Sequence, residues 1–208
     1  MYFNNLNFMK ISKNIDTNDY YEFKSIDEAD KWGRDVYRVW GNEFKKQYEK
    51  TENPLSVYGG NTFKVINKYK RNGECISSRY QNYADIIIPN AISSATRIPR
   101  NITVYRYIRE MNYNFFFNRD NHFIYQEKGF LSTTLHIDKV FSAGQISFIL
   151  KIFVPKETEA IYINSVENYV GESELELLIN HNYYLHLLKM PYKINGFPCL
   201  ECILSRNK

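Results

Sequence analysis

Hydrophobic periodicity changes once along this chain, near residue 100, and that switch limits the folds open to it. Before it, apolar residues recur at helical spacing. Ser25 and Glu28 form a capping box, and Ile26, Ala29, Trp32, Val36, Val39 or Trp40, and Phe44 follow at intervals that share one helix face. A second helix is predicted over 61–69 with Phe63 and Ile66 inward, after a loop punctuated by Pro54 and Gly59-Gly60. A third stretch runs through 91–95 and stops before Pro99. Beyond residue 100 the period is two. NITVYRYI and GFLSTTL read as strands, and QISFILKIFVP as a longer, largely buried one, with a short helix over 137–143 between the last two. ELELLIN sets Leu175, Leu177 and Ile179 on one face and Glu174 and Glu176 on the other, and YYLHLLKM and PCLECILS complete the strands. Helices gathered before strands predict an α+β fold with mostly antiparallel sheets, not a doubly wound one. No repeat or linker divides residues 1–208, which read as one domain with a helical flank over about 20–98 and a β-rich core over about 100–206.

Composition excludes several classes. Eighteen Tyr and fourteen Phe supply abundant buriable surface, so disorder is not the dominant state. No run of about 18 apolar residues exists to span a membrane. The start, MYFNNLNFMK, shows no charged region followed by an apolar one, so no signal peptide is visible. The net charge of +4, from 27 basic and 23 acidic residues, is scattered and gives no stripe for nucleic acid. Of the three cysteines, Cys199 and Cys202 form a lone C-x-x-C between strand-like flanks and read as small core residues. His122, His136, His181 and His186 lack metal-ligand spacing and take structural roles.

Three features could carry chemistry. Glu174 and Glu176, two apart on a predicted strand, would project into one space, where repulsion raises the pKa of one of them, with Glu172 extending the same parity. Taken alone, this pattern describes the solvent-facing edge of an amphipathic strand better than a site. Arg106, mid-strand in TVYRYI, calls for an anion, either a bound phosphate or the carboxylate of a structural ion pair. Ser132-Thr133-Thr134 offers three consecutive hydroxyls able to bond a ribose or orient a carboxylate, although threonine is also simply a good strand residue.

In this order and spacing the three segments resemble the arginine–serine–glutamate class of bacterial mono-ADP-ribosyltransferase toxins. The likeness is to the catalytic components of binary actin-modifying toxins of the iota type and to the Rho-modifying clostridial exoenzymes. FKSIDEADKWG resembles the family's first helix, and YGGNTFKVINKYKRNG, IPRNITVYR, GFLSTTL and ELELLINH follow in the family's order. The resemblance implies an ADP-ribosyltransferase fold with NAD, as substrate and without a metal, in a cleft between two mostly antiparallel sheets. It implies that Arg106 contacts the dinucleotide phosphates, that Ser132 supports the catalytic glutamate and the nicotinamide ribose, and that Thr133 lies with Ser132 on the cofactor side. Glu176 is then the catalytic glutamate and Glu174 the upstream member that engages the acceptor. Tyr58 and Phe63 would cover the cofactor, Phe141 would lie beside nicotinamide, and Tyr169 would help recognise the target. Anchoring on Tyr169 and Gly171 instead makes Glu172 and Glu174 the pair. Thr134, Tyr107 and Gln145 depart from the family's common residues.

A glutamate at the upstream position implies transfer to arginine, with actin of a host cell as the acceptor and NAD hydrolysis as a side activity. The alternatives are modification of an asparagine on a Rho-type GTPase, or a non-catalytic binding module, which would have lost the residues retained here. The resemblance further implies a monomer that is secreted or delivered into a host cytosol, with a separate binding and translocation component.

Overall fold

A computed structural model describes residues 16–59, 62–108, 124–141, 146–166, 174–188 and 191–207. The first long helix, α1 (Ile26–Gln47), starts where the sequence places it. The Ser25 hydroxyl accepts the Glu28 N–H at 3.2 Å, Asp27 and Glu28 occupy the first turn, and Lys45 and Lys46 the last. The Glu28 carboxylate reaches back to the Lys24 N–H at 2.8 Å, one residue earlier than a standard capping box. Of the two inward candidates, Trp40 is buried and Val39 exposed.

Glycine inside a helix costs about 1 kcal/mol relative to alanine, so Gly33 needs a reason. A Cβ there would stand 2.5–2.8 Å from the Tyr162 ring, whose hydroxyl donates to Asp30 at 2.6 Å. One turn of α1 therefore lies flat on that ring. Gly33→Ala is expected to destabilise the fold by about 1–3 kcal/mol through overpacking. This should be seen as a lower urea midpoint at constant slope; an unchanged midpoint would show that α1 does not seat on Tyr162.

The helices that follow depart from the pattern. Pro54 opens a short helix, α2 (Pro54–Tyr58), because Asn53 caps it through bonds to the N–H groups of Leu55 and Ser56. In α3 (Thr62–Asn72) Ile66 is buried as expected, but Phe63 is 38% exposed. The third helical stretch starts well before residue 91. It comprises α4 (Ser78–Asn82), a π-turn at Tyr83–Ile87 and α5 (Ile88–Ser94), with the wider turn just before Pro89.

Nine strands follow among the described residues: β1 (Ile102–Ile108), β2 (Ile124–Glu127), β3 (Leu131–Thr134), β4 (Phe148–Val154), β5 (Ala160–Tyr162), β6 (Glu176–Ile179), β7 (Tyr183–Leu187), β8 (Tyr192–Ile194) and β9 (Phe197–Ser205). Their hydrogen-bonded order is β2-β7-β9-β4-β1-β3-β6-β5, with β8 on β9. Every described pair is antiparallel except β4 with β9. The architecture is therefore the expected α+β arrangement. The described strands thus form one continuous sheet of nine where two were expected; β1 meets β3 at one pair only, Tyr105 with Thr134, and on either side of that narrow junction we distinguish a larger sheet and a smaller one of β3, β6 and β5.

The main core lies between the helices and one face of the larger sheet, where Ile102, Val104, Leu150, Ile152, Leu200 and Cys202 pack with Ile88 and Ile92. A smaller cluster of Tyr105, Val140, Ile149 and Cys199 fills the opposite face under the short helix Ile137–Phe141. Cys199 and Cys202 are both buried core residues, as expected. No helix among the described residues is long and apolar enough to cross a membrane.

Candidate active site

The junction of the two sheets brings the three sequence segments together. Arg106 lies on β1 with the parity of Val104, which is fully buried, while Arg106 itself is half-buried. Its Nη1 donates to the Ser132 carbonyl on β3 at 3.1 Å, beside the single pair that joins the sheets. Among the described residues it forms no ion pair with a carboxylate. Glu176, the first residue of β6, stands opposite Thr134 and is half-buried.

The expected two-carboxylate strand is not regular. Glu174 precedes β6 and is exposed, and Leu175 between the two acids has φ +52°, in the left-handed region. A leucine there costs roughly 1–2 kcal/mol. The alternation that was to place both carboxylates on one face therefore does not apply. Leu177 and Leu178 are both buried, so β6 is covered on both faces. Thr133 is also buried, and its hydroxyl donates to the Leu177 carbonyl at 2.8 Å, so it is engaged between strands and not presented to a ligand.

The helical flank supplies an aromatic wall. Tyr58 is buried at the end of α2, with its ring edge-on to Phe130 at 5.4 Å and 6.4 Å from the exposed Phe63 ring. Asn67 on α3 fixes it. Its side-chain nitrogen donates to the Tyr58 hydroxyl at 2.8 Å, while its oxygen accepts the Phe130 N–H at 2.8 Å. A Cβ on Gly129 would lie 2.6 Å from that oxygen, which is why the turn before β3 carries glycine. One helical turn beyond Asn67, Arg71 pairs bidentately with Glu127 on β2 at 2.7 and 2.8 Å. Glu127 also accepts the Gly129 N–H.

Electrostatics tie these groups into one place. Burial pushes the Tyr58 phenol above its ordinary range; the Glu176 charge adds to this, and Arg106 and Arg71 oppose it. Tyr125 is raised by burial and by Glu127, again against Arg71 and Arg106. Both tyrosines therefore stay protonated beside two cations and two carboxylates.

Behind the wall, His181 packs edge-on to Phe130 at 5.6 Å, and burial lowers its pKa from 6.5 to about 4, with Lys70 adding to the shift. Its Nδ1 is buried without a hydrogen-bond partner among the described residues. Between those values the unfolded chain binds a proton that the folded chain refuses. Stability is therefore expected to fall as pH drops from 6.5 toward 4. His181→Phe should flatten the thermal midpoint over that window; an equally steep fall in the variant would contradict the assignment.

Phe141 ends the short helix and packs against Phe197, the rings tilted by 31° at 6.1 Å, in the smaller cluster with Tyr107. Tyr169, Glu172 and Gln145 lie outside the described residues. Asn67, Arg71, Tyr125 and Glu127 were not singled out from the sequence. The available signal was the four-residue spacing of Asn67 and Arg71, which puts both on one face of α3. Among the described residues no cluster of His, Cys, Asp and Glu is arranged to hold a metal ion.

The family model for the ADP-ribosyltransferase exoenzyme matches residues 29–196. Among solved structures, the chain is similar to BECa, an ADP-ribosylating toxin of a binary enterotoxin of C. perfringens solved with NADH. The TM-score is 0.71 at 21% identity over 89% of this chain and 50% of that one. It therefore spans half the length of that relative. It is also similar to the C3 exoenzyme of Clostridium limosum (TM-score 0.64, 23% identity, 90% of this chain and 98% of that one). Plx2a, an ADP-ribosyltransferase toxin from Paenibacillus larvae, gives a TM-score of 0.64 at 21% identity over 86% and 94% of the two chains. A search of curated proteins returns no match.

Proposed function

The chain belongs to the ADP-ribosyltransferase exoenzyme family, and on that premise we propose that it transfers ADP-ribose from NAD to an arginine of a host protein, actin, releasing nicotinamide. One observation carries this reading. Arg106, Ser132 and Glu176 come from three strands and converge where the sheets join, with Tyr58 in the field of both Arg106 and Glu176. A guanidinium backed by a backbone carbonyl has a planar fork to offer the dinucleotide phosphates. Glu176 supplies negative charge beside the oxocarbenium-like centre that forms as nicotinamide leaves, and bonds the ribose 2′-hydroxyl. Ser132 supports that carboxylate, while Tyr58 and Phe63 cover the cofactor from the helical side. Phe141 lies on the nicotinamide side, and Tyr169 helps to recognise the target protein.

Glu174, exposed beside the site, meets the acceptor. An arginine with a pKa above about 12 is a poor nucleophile. A carboxylate can orient its guanidinium bidentately and help to remove its proton. Glu174→Gln is therefore expected to abolish protein labelling while nicotinamide release from NAD alone stays close to wild type. Equal loss of both would remove the acceptor role.

The acceptor is tested by incubating the chain with labelled NAD and a eukaryotic lysate. A band at the mass of actin whose label is released by hydroxylamine supports arginine transfer to actin. A hydroxylamine-stable band at small-GTPase mass would move the reading to asparagine modification, and no NAD turnover at all would leave a binding module.

A further inference from the structure

The two acidic residues of the site are linked by a backbone conformation that leucine does not favour. Among the described residues, four non-glycine residues have positive φ. Glu157, Asn182 and Asn195 lie in connections between strands, and all three are exposed. Leu175 differs: its side chain is fully buried at the edge of the candidate site. Its residue type suits packing, so the conformation must be imposed from outside.

Two hydrogen bonds flank it, one from Thr134 at the end of β3 and one from Leu135 just after it. The Thr134 hydroxyl donates to the Glu174 carbonyl at 2.8 Å, and the Leu135 N–H donates to the Leu175 carbonyl at 3.2 Å. One bond fixes the peptide before Leu175 and the other the peptide after it. Thr134 also stands opposite Glu176 in the β3–β6 register, so the same residue touches the chain on both sides of the turn.

We infer that Thr134 is a positioning residue for the acidic pair. By holding the Glu174 carbonyl it maintains the left-handed turn at Leu175, and so sets how Glu174 is carried relative to Glu176. This rests on the transferase reading above. It gives the third hydroxyl of the Ser-Thr-Thr run a task that serine can perform and valine, of the same shape, cannot.

The test compares Thr134→Val with Thr134→Ser in the full chain by three measurements: thermal unfolding, amide exchange at Leu135, and kinetics of NAD-dependent protein labelling. In the valine variant, kcat should fall about 10- to 100-fold through misplacement of the carboxylates, with KM for NAD within about twofold because Arg106 and Tyr58 are untouched. Leu135 should lose exchange protection in the same variant. The serine variant should restore both kcat and protection. If the valine variant fails to fold, Thr134→Ala carries the same comparison. A valine variant with wild-type kcat, or with Leu135 still protected, overturns the proposal. A wild-type chain that turns over no NAD overturns it together with the reading beneath it. That outcome is distinguishable, because the Leu135 exchange pattern would still follow the expected order.

Discussion

Replacing Glu176 by Gln is expected to reduce nicotinamide release by about 10²–10³-fold, with NAD binding retained. The amide has nearly the shape of the carboxylate and can still bond a ribose hydroxyl. What disappears is the negative charge beside a centre that becomes cationic only as the glycosidic bond breaks. An interaction that strengthens in the transition state is lost from kcat and not from KM. The half-buried position of Glu176 at the start of β6 supports an effect of this size, because partial desolvation strengthens the charge. Retained turnover in Glu176→Gln would shift the catalytic role to Glu174 in the alternative register with Glu172.

The second large effect is expected at Arg106, and it has the opposite kinetic form. Arg106→Lys keeps the positive charge but loses the planar fork, and with it the ability to bond the Ser132 carbonyl and an anion together. Hydrogen bonds to charged groups contribute about 1.5–3 kcal/mol, or roughly 10- to 100-fold in KM for NAD. The change in kcat should be smaller, because phosphate contacts hold ground state and transition state alike. Calorimetric titration of NAD into the variant measures this directly. Unchanged affinity would mean that Arg106 serves only to join the two sheets through Ser132.

Much of this arrangement is legible in the sequence because local chemistry decides it. The Ser25 cap and the periodicity of α1 are satisfied within a few residues, and the long strands announce themselves by alternation or by continuous apolar runs. What is missed depends on distant partners. Pro54 reads as loop punctuation, yet with Asn53 before it the same residue begins a helix. The start of the run over 78–94 is polar and exposed, with only its last turns buried, so periodicity finds only the end. The Glu174–Glu176 alternation is the most instructive failure. The residues read as a strand, but Leu175 takes a positive φ between carbonyls bonded by Thr134 and Leu135, about 40 residues earlier, and no local pattern encodes that. Asn67 and Arg71 escape notice for the same reason, since their partners, Tyr58, Phe130 and Glu127, lie on other elements.

The central claim is that the convergence of Arg106, Ser132 and Glu176 cleaves NAD. The most direct measurement follows nicotinamide release from NAD by the purified chain, wild type beside Glu176→Gln, with folding of both verified. Release by the wild type and its loss in the variant is the expected result. Tight NAD binding by both proteins, with no nicotinamide from either, would contradict the claim and leave a chain that holds the dinucleotide without breaking it.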